Sequence, residues 1–301
     1  MINALETNQL GKCYGKHWAL RNCTLQIPQG CVAGLLGLNG AGKTTLLHLA
    51  AGLLKSTEGT VEVLGISSRN PATLLSRIGF VSQECTLYRH FTVSETLTMG
   101  GKLNPHWDET RASALIERLH LPLQRAIGKL SGGQQAQLAL VMALAKRPEI
   151  LFLDEPFAHG DPLAKRELAK ILMETAVEQP FTIIVSSHNL SELEHICDYY
   201  LILTPSQVKL AESLGQIEKV HKRLIGPRES FEAIAQSQTV LQAHHVGRQS
   251  IVLARMTSPL LDPSWQIEEV ALEDIMLAYL ALQEHASPPY QSNRSMKEVL
   301  L

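Results

Sequence analysis

The chain has 301 residues, of which 45% are hydrophobic and 19% are charged, which is typical of a globular protein with room for one large domain and a smaller one. Its 27 Lys and Arg residues nearly balance its 29 Asp and Glu residues, so we expect neither a nucleic-acid partner nor an acidic, solvated tail. The five cysteines are scattered without a Cys-x-x-Cys pair, which argues against a disulfide framework or a zinc site.

The apolar runs of the chain, such as residues 138–145, are far shorter than the roughly 20 residues that cross a bilayer. Residues 1–6 lack a basic segment followed by an apolar stretch, so they do not resemble a secretory signal. These patterns predict a cytosolic protein. Any membrane pathway would then belong to another chain.

Three short apolar runs predict strands that are buried on both faces, as in a parallel sheet flanked by helices. They are residues 31–36, 150–153 and 182–185. Polar residues follow each run, and ligands of such sheets bind at the carboxyl ends of the strands. The sequence therefore predicts an α/β fold with a ligand site at that edge.

The remaining segments predict additions to this sheet. The stretch up to about Pro28 alternates apolar and polar positions between turn glycines, which predicts an antiparallel layer at the sheet edge. A helical pattern over about residues 87–146, broken at Asn104-Pro105 and Leu121-Pro122, predicts a helical subdomain. We expect a main domain over residues 1–215, a small α+β accessory domain over 216–285 and a flexible tail over 286–301.

A glycine-rich segment follows the first of these strands and opens a helical pattern, which is the context of a phosphate-binding loop. Glycines let successive backbone N–H groups turn toward phosphate oxygens, and the amino end of the helix adds positive potential. Lys43 would contact the β- and γ-phosphates, and the Thr44 hydroxyl would bind Mg²⁺. A chance glycine-rich turn would give a similar composition, but the complete set of fixed positions disfavours it. The loop comprises Gly37, Leu38, Asn39, Gly40, Ala41, Gly42, Lys43, Thr44 and Thr45.

An acidic pair, Asp154 and Glu155, ends the run at residues 150–153. A carboxylate at a strand tip can hold magnesium opposite Thr44, and Asp154 is placed for that role. The adjacent Glu155 can polarise a water molecule for in-line attack on the γ-phosphate, as a general base. Acidic residues at strand ends are ordinarily solvated loop residues, but beside a phosphate-binding loop the functional role is favoured.

The segment Leu130-Ser131-Gly132-Gly133-Gln134 predicts the start of a helix. Ser131 and Gln134 have the spacing of a capping box, and apolar residues then recur at helical spacing. Two glycines near the tip lower helix propensity, which indicates contact with a ligand rather than a purely structural cap.

These motifs, in this order, resemble the nucleotide-binding subunits of ATP-binding cassette (ABC) transporters over about residues 5–203. The resemblance implies a P-loop NTPase core that binds ATP and Mg²⁺ and hydrolyses ATP. In the family, the segment matching Ser131, Gly132, Gly133 and Gln134 binds the γ-phosphate held by the opposite subunit. The same matching implies that Gln83 senses Mg²⁺ and the attacking water, beside the membrane partner, and that His188 contacts the γ-phosphate. It further implies that Asp161 crosses the dimer interface and that Tyr14 stacks on adenine. The resemblance thus predicts catalytic roles for Lys43, Gln83, Glu155 and His188, and metal binding by Thr44, Gln83 and Asp154.

Two departures from the family pattern stand near these motifs. Gln137 and Met142 occupy positions where arginine is common. Phe157-Ala158-His159-Gly160 stands where the family has a hydroxyl residue, glycine and leucine before the aspartate. Both departures spare the residues predicted to contact ATP, so they bear on turnover rate and dimer tightness rather than on the reaction.

A single set of motifs implies that a second ATP-binding subunit, identical or different, completes the site. The resemblance implies a separate integral membrane permease as the other partner, with this chain peripheral on the inner face of the cell membrane. Residues 272–280 resemble the closing helix of bacterial drug- and antibiotic-exporter ATPases, although the pattern alone indicates only an amphipathic helix. Export of a drug, antibiotic or lipid-like substrate is therefore favoured over import.

Two functions without a membrane partner are also compatible with a phosphate-binding loop. One is a non-transport cassette ATPase of translation or DNA maintenance, and such proteins usually carry two motif sets or a long coiled coil, neither of which the sequence contains. The second is a small-molecule kinase, which would not require the segment from Leu130 to Gln134. Both functions are disfavoured.

Overall fold

The structure is a computed structural model that describes residues 3–68, 74–178, 181–260 and 262–282. The tail predicted for residues 286–301 lies outside the described residues, as does the end of the predicted accessory domain after residue 282.

Strands of the described segments form three sheets. In chain order the strands are β1 (Asn3–Tyr14), β2 (His17–Pro28), β3 (Val32–Leu36), β4 (Glu58–Val63), β5 (Ile66–Ser67), β6 (Ile78–Val81), β7 (Ile150–Leu153), β8 (Thr182–Ser187), β9 (Tyr199–Thr204), β10 (Gln207–Ser213), β11 (His221–Pro227), β12 (Thr239–Val246), β13 (Gln249–Arg255) and β14 (Gln266–Glu268). The sheet orders are β2-β1-β4-β5, β10-β9-β3-β8-β7-β6 and β12-β13-β11-β14.

The helices of the same segments lie between and after these strands. They are α1 (Lys43–Ala50), α2 (Val93–Leu103), α3 (Glu109–Arg118), α4 (Gly132–Ala145), α5 (Pro162–Glu178), α6 (Leu214–Val220), α7 (Phe231–Ser237) and α8 (Leu272–Ala281). Among the described helices, none combines the length and the apolar character needed to span a membrane.

The central sheet is parallel from β9 through β3, β8 and β7 to β6, and β10 joins its edge antiparallel to β9. Successive residues of each central strand enter different hydrophobic clusters: Leu151 packs with α4 and α5, whereas Phe152 packs with α1 and the β1-β2 layer. Both side chains are fully buried, and burying each stabilises the fold by about 1.5–3 kcal/mol. The predicted α/β class, with strands buried on both faces, is confirmed.

The predicted helical subdomain is formed by α2, α3 and α4, which share one hydrophobic cluster. α2 begins with a capping box between Thr92 and Glu95 and ends at Leu103, directly before the predicted break. α4 begins with the predicted capping box, in which the Gln134 backbone N–H donates to Ser131 Oγ and the Gln134 side chain accepts from the Ser131 backbone. The cap fixes the backbone direction of the two glycines at this helix start.

The segment after residue 215 forms the third sheet and packs α8 against the main body. Leu253 of β13 and Ile275 of α8 belong to the same hydrophobic cluster as Leu172 of α5. A separate small cluster surrounds Trp265. The division of the chain at residues 215 and 216 stays a prediction, since the two sides share one core.

The close packing of Trp265 on Gly226 gives a test of this accessory sheet. A Cβ added to Gly226 would lie 2.3 Å from Trp265 Cδ2, and the ring is itself buried. We expect Gly226→Ala to lower the free energy of unfolding by about 1–3 kcal/mol, because the overpacked ring or strand must shift. Urea unfolding measures the change.

The matched control is Gly215→Ala in α6, where an added Cβ meets no atom within 4 Å. Alanine in a helix should stabilise the protein by about 0.5–1 kcal/mol relative to glycine. Equal urea midpoints for the two variants would contradict the packing argument.

Candidate active site

The loop between β3 and α1 requires its glycines. Gly40 and Gly42 adopt φ values of +82° and +104°, in the left-handed region that disfavours side chains. A Cβ added to Gly42 would lie 2.5 Å from the Ala19 carbonyl oxygen, and one added to Gly37 would lie 2.5 Å from that of Leu203. The loop can therefore take this path only without side chains at these positions.

The helix that follows the loop has an amino end suited to an anion. α1 begins at Lys43, has no side-chain hydrogen bond at its cap and carries no acidic residue in its first turn. The first N–H groups of a helix have no partner within the helix, and the helix dipole places partial positive charge there. Loop and helix together fit a phosphate group.

The Lys43 ammonium is buried above this loop, with a side chain 6% exposed. Nζ donates to the Gly37 carbonyl oxygen at 2.7 Å and lies 3.1 Å from Glu155 Oε1. A buried charge requires a partner of opposite sign, and the Glu155 side chain, 7% exposed, supplies it. Phosphate oxygens bound by the loop would compete with Glu155 for this ammonium.

Hydrogen bonds fix the acidic pair that follows β7. Glu155 has φ +48°, an uncommon conformation that costs about 1–3 kcal/mol for such a residue and is typical of functional sites. Its backbone N–H donates to Ser186 Oγ at 2.9 Å, and Ser186 Oγ donates to Asp154 Oδ1 at 2.7 Å. Glu155 Oε2 accepts a hydrogen bond from His188 Nδ1 at 2.9 Å. Both carboxylates are thus oriented by residues at the end of β8.

A cavity of about 410 Å³ collects most of the predicted site residues. Residues 38–45 of the phosphate-binding loop line it together with Gln83, Glu155 and His188, whereas Gly37 does not. Its lining residues are His17, Ala19, Leu38, Asn39, Gly40, Ala41, Gly42, Lys43, Thr44, Thr45, Gln83, Glu155 and His188. The structure therefore brings together the predicted catalytic residues from four separate places in the chain.

Tyr14, predicted to stack on adenine, is not among the residues that line this cavity. It ends β1 with 48% of its surface exposed, and Lys12 Nζ lies 5.2 Å from its ring centroid. His17 and Ala19 of the adjacent β2 line the cavity in its place. The adenine contact of Tyr14 stays a prediction.

The segment Ser131–Gln134 and Asp161 are also absent from the cavity lining. Ser131 and Gln134 cap α4, with the Gln134 N–H 3.2 Å from Ser131 Oγ. Asp161 Oδ1 accepts from the Ala164 N–H at 2.9 Å at the start of α5. One chain therefore carries the phosphate-binding loop and these motifs at separate places.

Comparison with known proteins identifies the family. Residues 20–158 match the ABC transporter family. The chain is 31% identical to the sulfate/thiosulfate import ATP-binding protein CysA of Yersinia pseudotuberculosis serotype I (strain IP32953), over 80% of this chain and 71% of that protein. The chain belongs to the ABC transporter ATP-binding family. It is also 32% identical to the bacitracin transport ATP-binding protein BcrA of Bacillus licheniformis, over 67% of each chain.

The extent of these matches differs between relatives. The chain spans 61% of the length of the Shigella flexneri CysA protein, to which it is 32% identical over 224 residues. An ATP-binding subunit of an ABC transporter shares its fold with a TM-score of 0.66 and 27% identity, over 72% of this chain and 92% of that chain. A dimeric ATP-binding cassette in a post-hydrolysis state with ADP and Pi gives a TM-score of 0.64 and 25% identity, over 70% of this chain and 98% of that chain. The predicted P-loop NTPase fold and ATPase class are confirmed.

The residues predicted to bind Mg²⁺ form a suitable donor set. Thr44, Gln83 and Asp154 all line a second cavity, which adjoins the first. They offer a hydroxyl, an amide carbonyl and a carboxylate, the oxygen ligands that Mg²⁺ prefers. Asp154 is 1% exposed, and Ser186 fixes its Oδ1. The residues present therefore fit the ion.

Three residues of the site were given no role from the sequence: Ser186, His17 and Ala19. Ser186 sits at the end of an apolar run and has the pattern of a strand residue, so only the pairing of β7 with β8 reveals that its hydroxyl joins Asp154 to Glu155. His17 lies two residues after the turn glycine Gly15, where a surface residue is expected. Ser186 is among the polar residues that follow the apolar run at the predicted ligand edge, but neither its local pattern nor that of His17 points to a specific role.

The Ser186 hydroxyl gives a test of the site that needs no nucleotide. We expect Ser186→Ala to lower the free energy of unfolding by about 1–3 kcal/mol, because it leaves the buried Glu155 N–H and Asp154 Oδ1 without this partner. Urea unfolding measures it. The control is Ser191→Ala, which removes an exposed hydroxyl bonded to Asn189. Equal losses in the two variants would contradict the role given to Ser186.

Proposed function

We propose that this chain, peripheral on the inner face of the cell membrane, binds ATP with Mg²⁺ and hydrolyses it to power a separate transmembrane permease that exports a drug, antibiotic or lipid-like substrate. The observation that carries the proposal is the contact of Glu155 with both Lys43 and His188 above the phosphate-binding loop. Lys43 and His188 both contact the Glu155 carboxylate, and an anionic phosphate would attract both of them.

The chemistry follows from these contacts. A triphosphate in the loop would draw Lys43 and His188 to its oxygens and so release both Glu155 oxygens. Glu155 could then accept a proton from a water molecule as it attacks the γ-phosphate. Magnesium, held by Thr44, Gln83 and Asp154, would supply neutralising charge on the phosphates.

A second ATP-binding subunit is part of the proposal. Ser131–Gln134 and Asp161 lie outside the cavity that the phosphate-binding loop of the same chain lines. Ser131 and Gly132 are exposed at the amino end of α4, where a partner's γ-phosphate could approach, and the buried Gly133 follows them. A homodimer and a heterodimer both satisfy this arrangement. The dimeric cassette with ADP and Pi, to which this chain is similar, supports it.

A surface for the permease lies beside the nucleotide cavity. The second cavity, of about 700 Å³, runs along α2 and along residues 82–87 after β6, here called the Gln83 loop. The exposed apolar residues Leu53 and Leu103 border it. Met142, at a position where arginine is common in the family, also lines it, one helical turn before Lys146. Gln83 lines both cavities, so a permease segment seated here would contact the nucleotide site through it.

Import is the second candidate, and the CysA relatives favour it. Export is supported by the pattern of residues 272–280 and by the bacitracin transport protein among the relatives. Vesicles that contain the permease with the ATPase outside separate the two: ATP drives substrate into the vesicle for an exporter and out of it for an importer.

The test of the reaction is Glu155→Gln. We expect ATP hydrolysis to fall several hundredfold, within the roughly 10²- to 10⁴-fold contribution of one general base, while magnesium-dependent ATP binding by calorimetry is retained. The control is Glu149→Gln, which alters an exposed carboxylate paired with Arg77 at the other end of β7. Unchanged hydrolysis in Glu155→Gln would reject the assignment.

The test of the two-subunit site is Ser131→Arg. We expect turnover to be abolished, because the bulky cation blocks the amino end of α4 where the partner's phosphate would lie, while ATP binding to the loop persists. Ser237→Arg, on an exposed face of α7, serves as the control. Normal hydrolysis by purified Ser131→Arg protein would show that this segment takes no part in the site.

A further inference from the structure

The loop that precedes α5 carries a histidine and a glycine that depart from the family pattern, and the structure gives the glycine a physical reason. Gly160 has φ +105°, in the left-handed region where a leucine would be strained. A Cβ added to Gly133 would lie 3.1 Å from the Gly160 Cα. Two bare glycines therefore let the backbone of this loop approach the start of α4 closely.

The histidine of this loop, His159, contacts two other segments. Its Nε2 lies 3.1 Å from the Gln83 carbonyl oxygen, and because a carbonyl only accepts, Nε2–H donates this hydrogen bond. Its Cβ and Cγ lie 3.6 and 3.8 Å from where a Cβ of Gly132 would be. The side chain thus connects the Gln83 loop with the start of α4.

The Gln83 loop needs such an anchor because of its place in the sheet. It follows β6, which is the edge strand of the central sheet. Within the loop, the Cys85 backbone N–H donates a hydrogen bond to the Ser82 carbonyl oxygen at 3.0 Å. The His159 hydrogen bond adds a link from outside the loop, made to the residue that lines both cavities.

We propose that His159 is a positioning residue for ATP hydrolysis: it holds Gln83 at the nucleotide cavity and fixes it relative to the Gly132–Gly133 tip of α4. The inference rests on the proposed function. In the two-subunit arrangement, Gln83 serves the chain's own nucleotide and Gly133 serves the partner's. His159 then connects the two sites within one chain, in place of the glycine common in the family.

The experiment compares His159→Leu with His159→Gln in steady-state ATP hydrolysis by the full chain. Leucine removes the donor, and we expect kcat to fall about three- to tenfold with KM for ATP changed less than about twofold, the effect of one lost hydrogen bond in the transition state. Glutamine places an amide N–H near the position of Nε2 and should restore most of the rate. His244→Leu, on an exposed position of β12, is the matched control and should retain the wild-type rate.

A double-mutant cycle with Gln83→Ala decides whether His159 acts through Gln83. We expect His159→Leu to cause no further loss of kcat in the Gln83→Ala background, because the residue that it positions is gone. Independent losses that multiply would overturn the proposal. So would an unchanged kcat in His159→Leu, or a loss that glutamine does not restore at all.

The same assays separate this inference from the proposed function. If Glu155→Gln removes hydrolysis and His159→Leu does not change kcat, the ATPase mechanism stands and only the role of His159 fails. If the wild-type chain neither binds nor hydrolyses ATP with magnesium, the proposed function itself fails.

Discussion

The buried ion pair between Lys43 and Glu155 constrains the rest of the site. The two charged atoms lie 3.1 Å apart with both side chains almost inaccessible to solvent, and either charge alone would be strongly destabilising there. The phosphate-binding loop after β3 and the acidic pair after β7 must therefore be held at a fixed separation. The central sheet does this, because β8 pairs with both β3 and β7 and spaces their carboxyl ends.

The intervening strand also supplies the groups that complete the pair. Leu36 is in register with Ser187 and Leu153 with Val185, so the ends of the three strands lie side by side. β8 therefore delivers Ser186 to the backbone of Glu155, and the turn after β8 delivers His188 to its carboxylate. The left-handed conformation of Glu155 is tolerated because these bonds and Lys43 hold it from three directions.

Patterns in the local sequence predicted the buried strands and the helix cap, but not the contacts between segments that are distant in the chain. The apolar runs predicted the buried strands, and the spacing of Ser131 and Gln134 predicted the cap of α4, because both depend on residues near in sequence. The roles of Ser186 and His17 depend on which strands pair, and a single sequence does not specify that order. The bond from His159 to Gln83 joins residues 76 positions apart, and no periodicity signals it. Tyr14 matches the family residue that stacks on adenine, yet it does not line the nucleotide cavity, and the local sequence did not indicate this.

Helix α5 is where the remaining parts of the chain meet. It begins beside Asp161, and its Glu167 pairs with Arg118 of the helical subdomain at 2.6 Å. Its buried face shares a hydrophobic cluster with α8 and the accessory sheet. Exposed ion pairs contribute little and can exchange, whereas apolar packing resists sliding. Helix α4 of the helical subdomain contributes Ala139 and Leu140 to the same cluster, so movement of α5 would carry both α4 and α8 with it as one body, and the Arg118 ion pair only adds to that packing.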